Sequence, residues 1–325
     1  MASKRSKDLA IKYQRALDKA TRKGVRTSNQ LSLGLYKDLI KKYKAGDYVF
    51  EPVIDKYSMV FSVQVEIGAI IAHLLGMVMY SRASATQSPP SVMLTEEEDE
   101  LRQALVNAGF STARHGSANE QDIFAFAIEP NASGISDLAD EIDLSLAERQ
   151  RIASRYQMTA RTAGREFSTR LNSRLTDAIQ DITINELTEA QGIKRIKRAF
   201  QLAGTSAQHD YWYTTIYRTE TQIAMAGGRW ESAADPILGT ILWGFEYVTM
   251  GDQNVRPLHA KADGTVLPKN NPWWDINFPP CGYACRCQAI EVFEKEDIKR
   301  SEIRNVNDSE NFETNWKAAP MVEGI

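Results

Sequence analysis

Apolar positions along the chain recur at helical spacing for most of its first 235 residues. Between residues 4 and 44, Leu9, Ile11, Tyr13 and Leu17 are followed by Leu31, Leu35, Leu39 and Tyr43, the last four stepping by four as one face of a helix does. Gly24 and the Thr27-Ser28-Asn29 cluster predict a break there and hence two helices. Residues 60–80 read VFSVQVEIGAIIAHLLGMVMY, long and apolar enough to span a bilayer. The run also holds Gln64, Glu66 and His73. A glutamate at that depth is costly in lipid, so a buried amphipathic helix is expected and no membrane contact.

Further along, Ser145-Leu146-Ala147-Glu148 is a capping box, in which each side chain satisfies the other residue's free backbone N–H. It opens a long helix with a stripe of Ile152, Tyr156, Ala160, Ala163, Phe167, Leu171 and Leu175, ending near Asp181. Thr188-Glu189-Ala190-Gln191 caps another helix, and Tyr211 to Ala234 reads as a third. Between these groups, residues 81–95 have the small, polar, Pro-Pro composition of a linker. Thr95 and Glu98 cap a short helix to about Asn107, and residues 109–135 read as irregular chain around a strand at 123–128.

The period changes after residue 240. Ile241, Trp243, Phe245 and Tyr247 alternate with a second face that includes Glu246, the pattern of a half-buried strand. Asp263-Gly264 marks a tight turn, Pro279-Pro280 stops any ladder, and residues 288–293 read as a second strand. Trp243 and Trp273 are the expected anchors of this part. The fold class is therefore a mainly α N-terminal region followed by a small, loop-rich α+β C-terminal module. Composition divides the chain into a helical region with linkers (1–135), a long-helix connecting region (136–204), the module (205–295) and a polar tail (296–325).

Composition changes the picture in two places. Apolar and charged fractions of 43% and 25% are those of an ordinary soluble protein. The net charge of −3, however, hides an N-terminal excess: residues 1–44 hold thirteen Lys or Arg against three Asp. Lys4, Arg5, Lys7, Lys12, Arg15, Lys19, Arg22, Lys23 and Arg26 are candidates for contact with nucleic acid or an acidic partner, the alternative being a solvated helix face. Seven arginines between Arg149 and Arg174 spread around their helix and point to no groove-reading element. The three cysteines fall within seven residues, which is no disulfide framework; reduced thiols and assembly in a cytoplasm are expected, with no signal peptide.

His259, Cys281, Cys285 and Cys287 are the candidate metal ligands, a Cys3His set that suits tetrahedral zinc. Thiols packed as small apolar groups, or a disulfide, are the alternatives. The same residues resemble half of a zinc deaminase motif, but Ala260 and Lys261 follow His259 where that chemistry needs a glutamate. Arg218, Glu220, Asp252, Arg256 and Arg286 are expected to form a polar network that fixes the loops, because a planar guanidinium can hold a carboxylate and backbone carbonyls together. Glycine-rich phosphate loops and nucleophile elbows are absent from the sequence.

The order of these residues carries a resemblance. Asp252, Arg256 and His259 precede Asp263-Gly264, followed by Pro272-Trp273, Pro279-Pro280 and, four residues on, Cys285-Arg286-Cys287. With Arg218-Thr219-Glu220 upstream, the set resembles the phage Mu F-like, or head morphogenesis, family over residues 185–293. The resemblance implies a minor head (capsid) protein of a tailed bacteriophage, acting without catalysis in head assembly near the portal. Its implied partners are portal and capsid proteins and packaged DNA, and its implied place is the virion, in the head interior or at the portal vertex. A metal-dependent enzyme acting on nucleic acid, packaged or delivered with the genome, is the alternative.

Overall fold

The computed structural model describes residues 2–86, 144–206, 209–235 and 238–293. The expected capping box at Thr95, the irregular stretch 109–135 and the tail 296–325 lie outside them. Five helices come first: α1 (Lys4–Lys44), α2 (Glu51–Thr86), α3 (Leu146–Ile184), α4 (Glu189–Ala203) and α5 (Tyr211–Ala234). A 3-10 turn (Leu238–Ile241) leads into β1 (Gly244–Val248), α6 (Pro257–Ala262), β2 (Thr265–Pro268), α7 (Trp273–Asn277) and β3 (Gln288–Val292). The mainly α region with a small α+β module after it is the architecture expected from the sequence.

The first helix corrects one expectation: α1 is a single helix of 41 residues. Gly24 and Ser28 do not break it, because they are contact positions. A Cβ on Gly24 would collide with the Tyr217 ring of α5, and the Ser28 hydroxyl lies 3.1 Å from the Tyr217 hydroxyl and 3.4 Å from Gln64 Oε1 of α2. Residues chosen to let two helices approach have the same composition as residues chosen to end one.

The apolar run of α2 is the centre of the molecule. It packs against α1, α3 and α5. Of the window that is long and apolar enough to cross a membrane, 83% is buried inside the protein. Val60 through Ile67 are buried on every side, so the helix is enclosed rather than amphipathic. Glu66 is 1% exposed, and His73 Nδ1 lies 2.8 Å from the Tyr156 hydroxyl of α3. Burial, with the charges of Arg155 and Arg151, pushes His73 down to about 3. Glu231, 3.6 Å from Nε2, does not reverse this, because it already pairs with both arginines. The backbones of α2 and α5 come into direct contact. A Cβ on Gly76 would strike the Met225 carbonyl, and one on Gly228 would strike the His73 carbonyl. Residues 81–86, expected as linker, are instead the end of α2, with neither Gly nor Pro among them to stop it; the rest of the expected linker lies outside the described residues.

Both later capping boxes form as expected, at Ser145–Glu148 and Thr188–Gln191. The α3 stripe faces inward at all seven predicted positions. Gly204 ends α4 at φ 72°, a left-handed position that glycine adopts without steric cost.

The module is a three-stranded antiparallel sheet in the order β2-β1-β3, with Glu246 opposite Val266 on one side and Ile290 on the other. The central strand departs from the half-buried expectation: all five of its residues are buried. One face carries Phe245 and Tyr247 onto Trp273, Trp274 and Phe278; Val248 and Ile290 instead join the core shared by α1, α2, α3 and α5. Trp273 is fully buried as expected, while Trp243, just before the strand, is only partly covered. Its place as an anchor is taken by Trp274, also fully buried, whose indole donates to the Pro268 carbonyl at 3.1 Å.

The start of α1 closes on this sheet. Ser3 N donates to Glu246 Oε1 at 2.7 Å, Ser3 Oγ donates to Oε2 at 3.2 Å, and Ser6 Oγ donates to the same oxygen. Ala2 N donates to Asp263 Oδ2 at 3.1 Å, and Lys7 lies 3.8 Å from it. Two carboxylates thus meet the positive end of a helix dipole, where negative charge is favoured. Burial pushes the Asp263 carboxyl up, but hydrogen bonds from Thr249 and Ala2 and the charge of Lys7 outweigh it and hold it below its ordinary value.

Candidate functional site

Three of the four candidate metal ligands converge. Residues i and i+2 of an extended segment share a face, so Cys285 and Cys287 point the same way while Arg286 points the other. The loop before them is turned by Gly282 and Ala284 at φ 117° and 54°. It is tied down by Ala284 N donating to Thr219 Oγ1 at 3.0 Å and Gln222 Nε2 donating to the Cys287 carbonyl at 2.8 Å. The short helix α6 brings His259 to the same place, with Nδ1 3.4 Å from Cys287 Sγ and 3.7 Å from Cys285 Sγ. The three donor atoms lie within 4.8 Å of one another, and all three residues are buried. Cys281 stands outside this group; its thiol donates to the Asn277 carbonyl at 3.2 Å.

Within the pair Cys285 ionises first. A hydrogen bond from Cys287 and the contact with His259 hold its thiol well below the ordinary range against the effect of burial. Cys287, facing that charge and equally buried, is pushed well up. All three cysteines are free thiols, so no disulfide joins them.

The polar residues singled out from the sequence separate into two places. Arg286 grips Asp252 with two bonds of 2.7 Å, and Arg256 donates to the Tyr283 carbonyl at 2.9 Å, fixing the loop ahead of the cysteines. This pairing holds Asp252 below the usual carboxylate range. Arg218 lies 3.9 Å from Asp18 of α1 and joins Arg256 and Arg286 on the wall of a cleft of about 480 Å³. His259, Cys285 and Cys287 line the same cleft. Glu220 is elsewhere: about 200° around the helix from Arg218, where burial and then the charge of Glu166 on α3 push it up to about 7.

The most buried ion pair of the module escaped the sequence reading. Arg229 of α5 donates through Nε to Glu291 Oε1 of β3 at 2.7 Å, bonds the Ala289 carbonyl, and lies 4.5 Å from the Tyr13 ring of α1. A sign was present, since Ala226, Gly227 and Gly228 just before it are small residues of the kind that let a helix pack closely against a neighbour.

On the far side of α1 the basic residues form one ridge. Because the helix is unbroken, Lys4, Arg5, Lys12, Arg15, Lys19, Arg22, Lys23 and Arg26 fall within an arc of about 100° at 100° per residue. All eight are exposed. Lys37, Lys41 and Lys44 continue the line, which runs for roughly 60 Å at 1.5 Å per residue. Lys7 turns instead toward Asp263. Below the ridge, a groove of about 960 Å³ between α1, α4 and α5 adds Lys197 to Arg22 and Arg26.

Residues 170–290 match the family described as Phage Mu protein F like protein. Protein F of Escherichia phage Mu, named for capsid assembly, is 31% identical over 74 residues, which are 23% of this chain and 16% of that protein. The chain thus aligns with about a sixth of that relative's length. No solved structure matches. The matched span begins within α3, takes in α4, α5, β1, β2 and the His–Cys cluster, and ends within β3. Residues 170–290 are therefore similar to the phage Mu protein F-like proteins, a likeness confined to this part of the chain.

Proposed function

We propose that this chain is a minor head protein of a tailed bacteriophage, acting without catalysis in head assembly at the portal vertex, with the ridge of α1 lying against packaged DNA. The observation that carries the reading is the Mu F-like region at residues 170–290. The DNA contact rests on the ridge: exposed Lys and Arg on one line present a positive edge that neutralises phosphates irrespective of sequence. Portal and capsid proteins are the remaining partners, met in the host cytoplasm during assembly and retained in the virion.

The test uses the full chain, because α1 carries core residues and its removal would unfold the protein. Retention of duplex DNA is measured between 50 and 200 mM salt for the wild type and for a triple variant, Arg15→Glu, Arg22→Glu and Arg26→Glu. Four phosphate contacts would cost roughly two orders of magnitude in affinity across that range, and the variant should bind weakly with a shallower slope. Equal retention by both proteins removes the DNA contact. Absence of the wild type from portal-containing heads removes the head role.

A further inference from the structure

We propose that His259 Nδ1, Cys285 Sγ and Cys287 Sγ are the three protein ligands of a zinc ion whose fourth position opens into the arginine-walled cleft. Zinc bonds of about 2.3 Å to sulfur and 2.0–2.1 Å to imidazole nitrogen, set at the tetrahedral angle, give an N···S edge of about 3.6 Å. The two observed edges, 3.7 and 3.4 Å, bracket that value. Two soft thiolates with one imidazole suit zinc better than any hard cation, which takes oxygen donors. The ligands come from two segments more than twenty residues apart, joined to each other through Arg256 and the Tyr283 carbonyl, with the cysteine segment tied to α5 through Thr219 and Gln222, so the donor triangle is held before any ion arrives.

Cys281 does not complete the set, since its thiol is engaged with Asn277 and it lies outside the cluster. The cleft reaches all three ligands and brings Arg218, Arg256 and Arg286 beside them. Three protein ligands with an accessible fourth position are the pattern of a zinc ion that keeps a water or exchanges it. The arginines favour an anionic oxygen in that place, phosphate being the simplest. The site is independent of the head role and can fail or stand without it.

Elemental analysis of the full chain, purified without chelator, should find about one zinc per chain, and less than about a tenth of an equivalent overturns the site. Cys285→Ser and His259→Ala should each lose the metal, whereas Cys281→Ser should keep it. Loss in Cys281→Ser to the same extent as in Cys285→Ser overturns the three-ligand assignment. Replacing zinc by cobalt(II) gives a coloured reporter: tetrahedral ligand-field bands with thiolate charge transfer should appear and should shift on adding inorganic phosphate. Bands that phosphate leaves unmoved overturn the open position.

Discussion

At the scale of single residues, the buried charges decide how the molecule answers to mutation and to pH. Arg229 and Glu291 are almost wholly removed from water, and each keeps the other tolerable. Replacing Arg229 by Met leaves Glu291 facing a low-dielectric core, at a cost of about 3–5 kcal/mol. Urea unfolding should show that the double variant Arg229→Met, Glu291→Leu is more stable than the single one. If the double is as unstable as the single, the charges are not what matters there. Glu220 acts in the opposite sense. Its folded pKa, about 7, lies above the ordinary 4.5. The folded state therefore binds more protons between those values, and stability falls as pH rises through that window. Glu220→Gln should remove the slope and raise stability at pH 8 by on the order of 2 kcal/mol, one unit being worth about 1.4. His73, pushed down to about 3, works against it: its contribution is present above pH 6.5 and is lost on acidification toward pH 3. Thermal midpoints of wild type and Glu220→Gln across pH 4–8 separate the two.

At the scale of elements, periodicity carried most of the helices and burial carried the errors. The α3 stripe and both capping boxes were legible because a repeat of apolar residues and a local hydrogen-bond pair are both written in the sequence. Gly24 and Ser28 were misread because their role depends on Tyr217 and Gln64, residues far along the chain. The strand β1 was found, but its second face was taken for solvent, since Glu246 gives no sign that a helix end will cover it. At the candidate site, His259 with Cys285 and Cys287 was legible from residue type. The exclusion of Cys281 was not, because it follows from the turn after Pro280. The contact of α2 with α5 offers the sharpest element-scale prediction. Gly228→Ala sets a methyl against the His73 carbonyl, which only a shift of one whole helix relieves. A loss of about 1–3 kcal/mol is expected, as for overpacking elsewhere. Unchanged stability in chemical denaturation would mean that the two backbones are not in contact.

At the scale of the whole molecule, one core is assembled from distant parts of the chain. The inner face of the sheet and the helices α1, α2, α3 and α5 share a continuous set of apolar residues. The Mu F-like region at 170–290 contains α5 and most of the sheet, but α1 and α2, which cover them, lie outside it. Taken alone, that region would expose Val248, Ile290 and the Gly228 side of α5 to water. The clasp between Ser3, Ser6 and Glu246 also sets an order of events in time. Residues enter a growing chain at about 5–20 per second, so the roughly 240 residues from Ser6 to Glu246 take about 12–50 s to add. For much of that interval α1 has emerged from the ribosome with only α2 of its docking surface made, while α5 and the sheet are still to come. Leu9, Tyr13 and Leu17, which belong against α2, α5 and the sheet, must wait with that apolar face incompletely covered. Nascent chains arrested before β1 should accordingly lose α1 to a dilute protease and retain a chaperone that shields apolar helices. Chains arrested once β3 is free should resist the one and release the other. The helix that begins this fold is, in the cell, the element that finishes it.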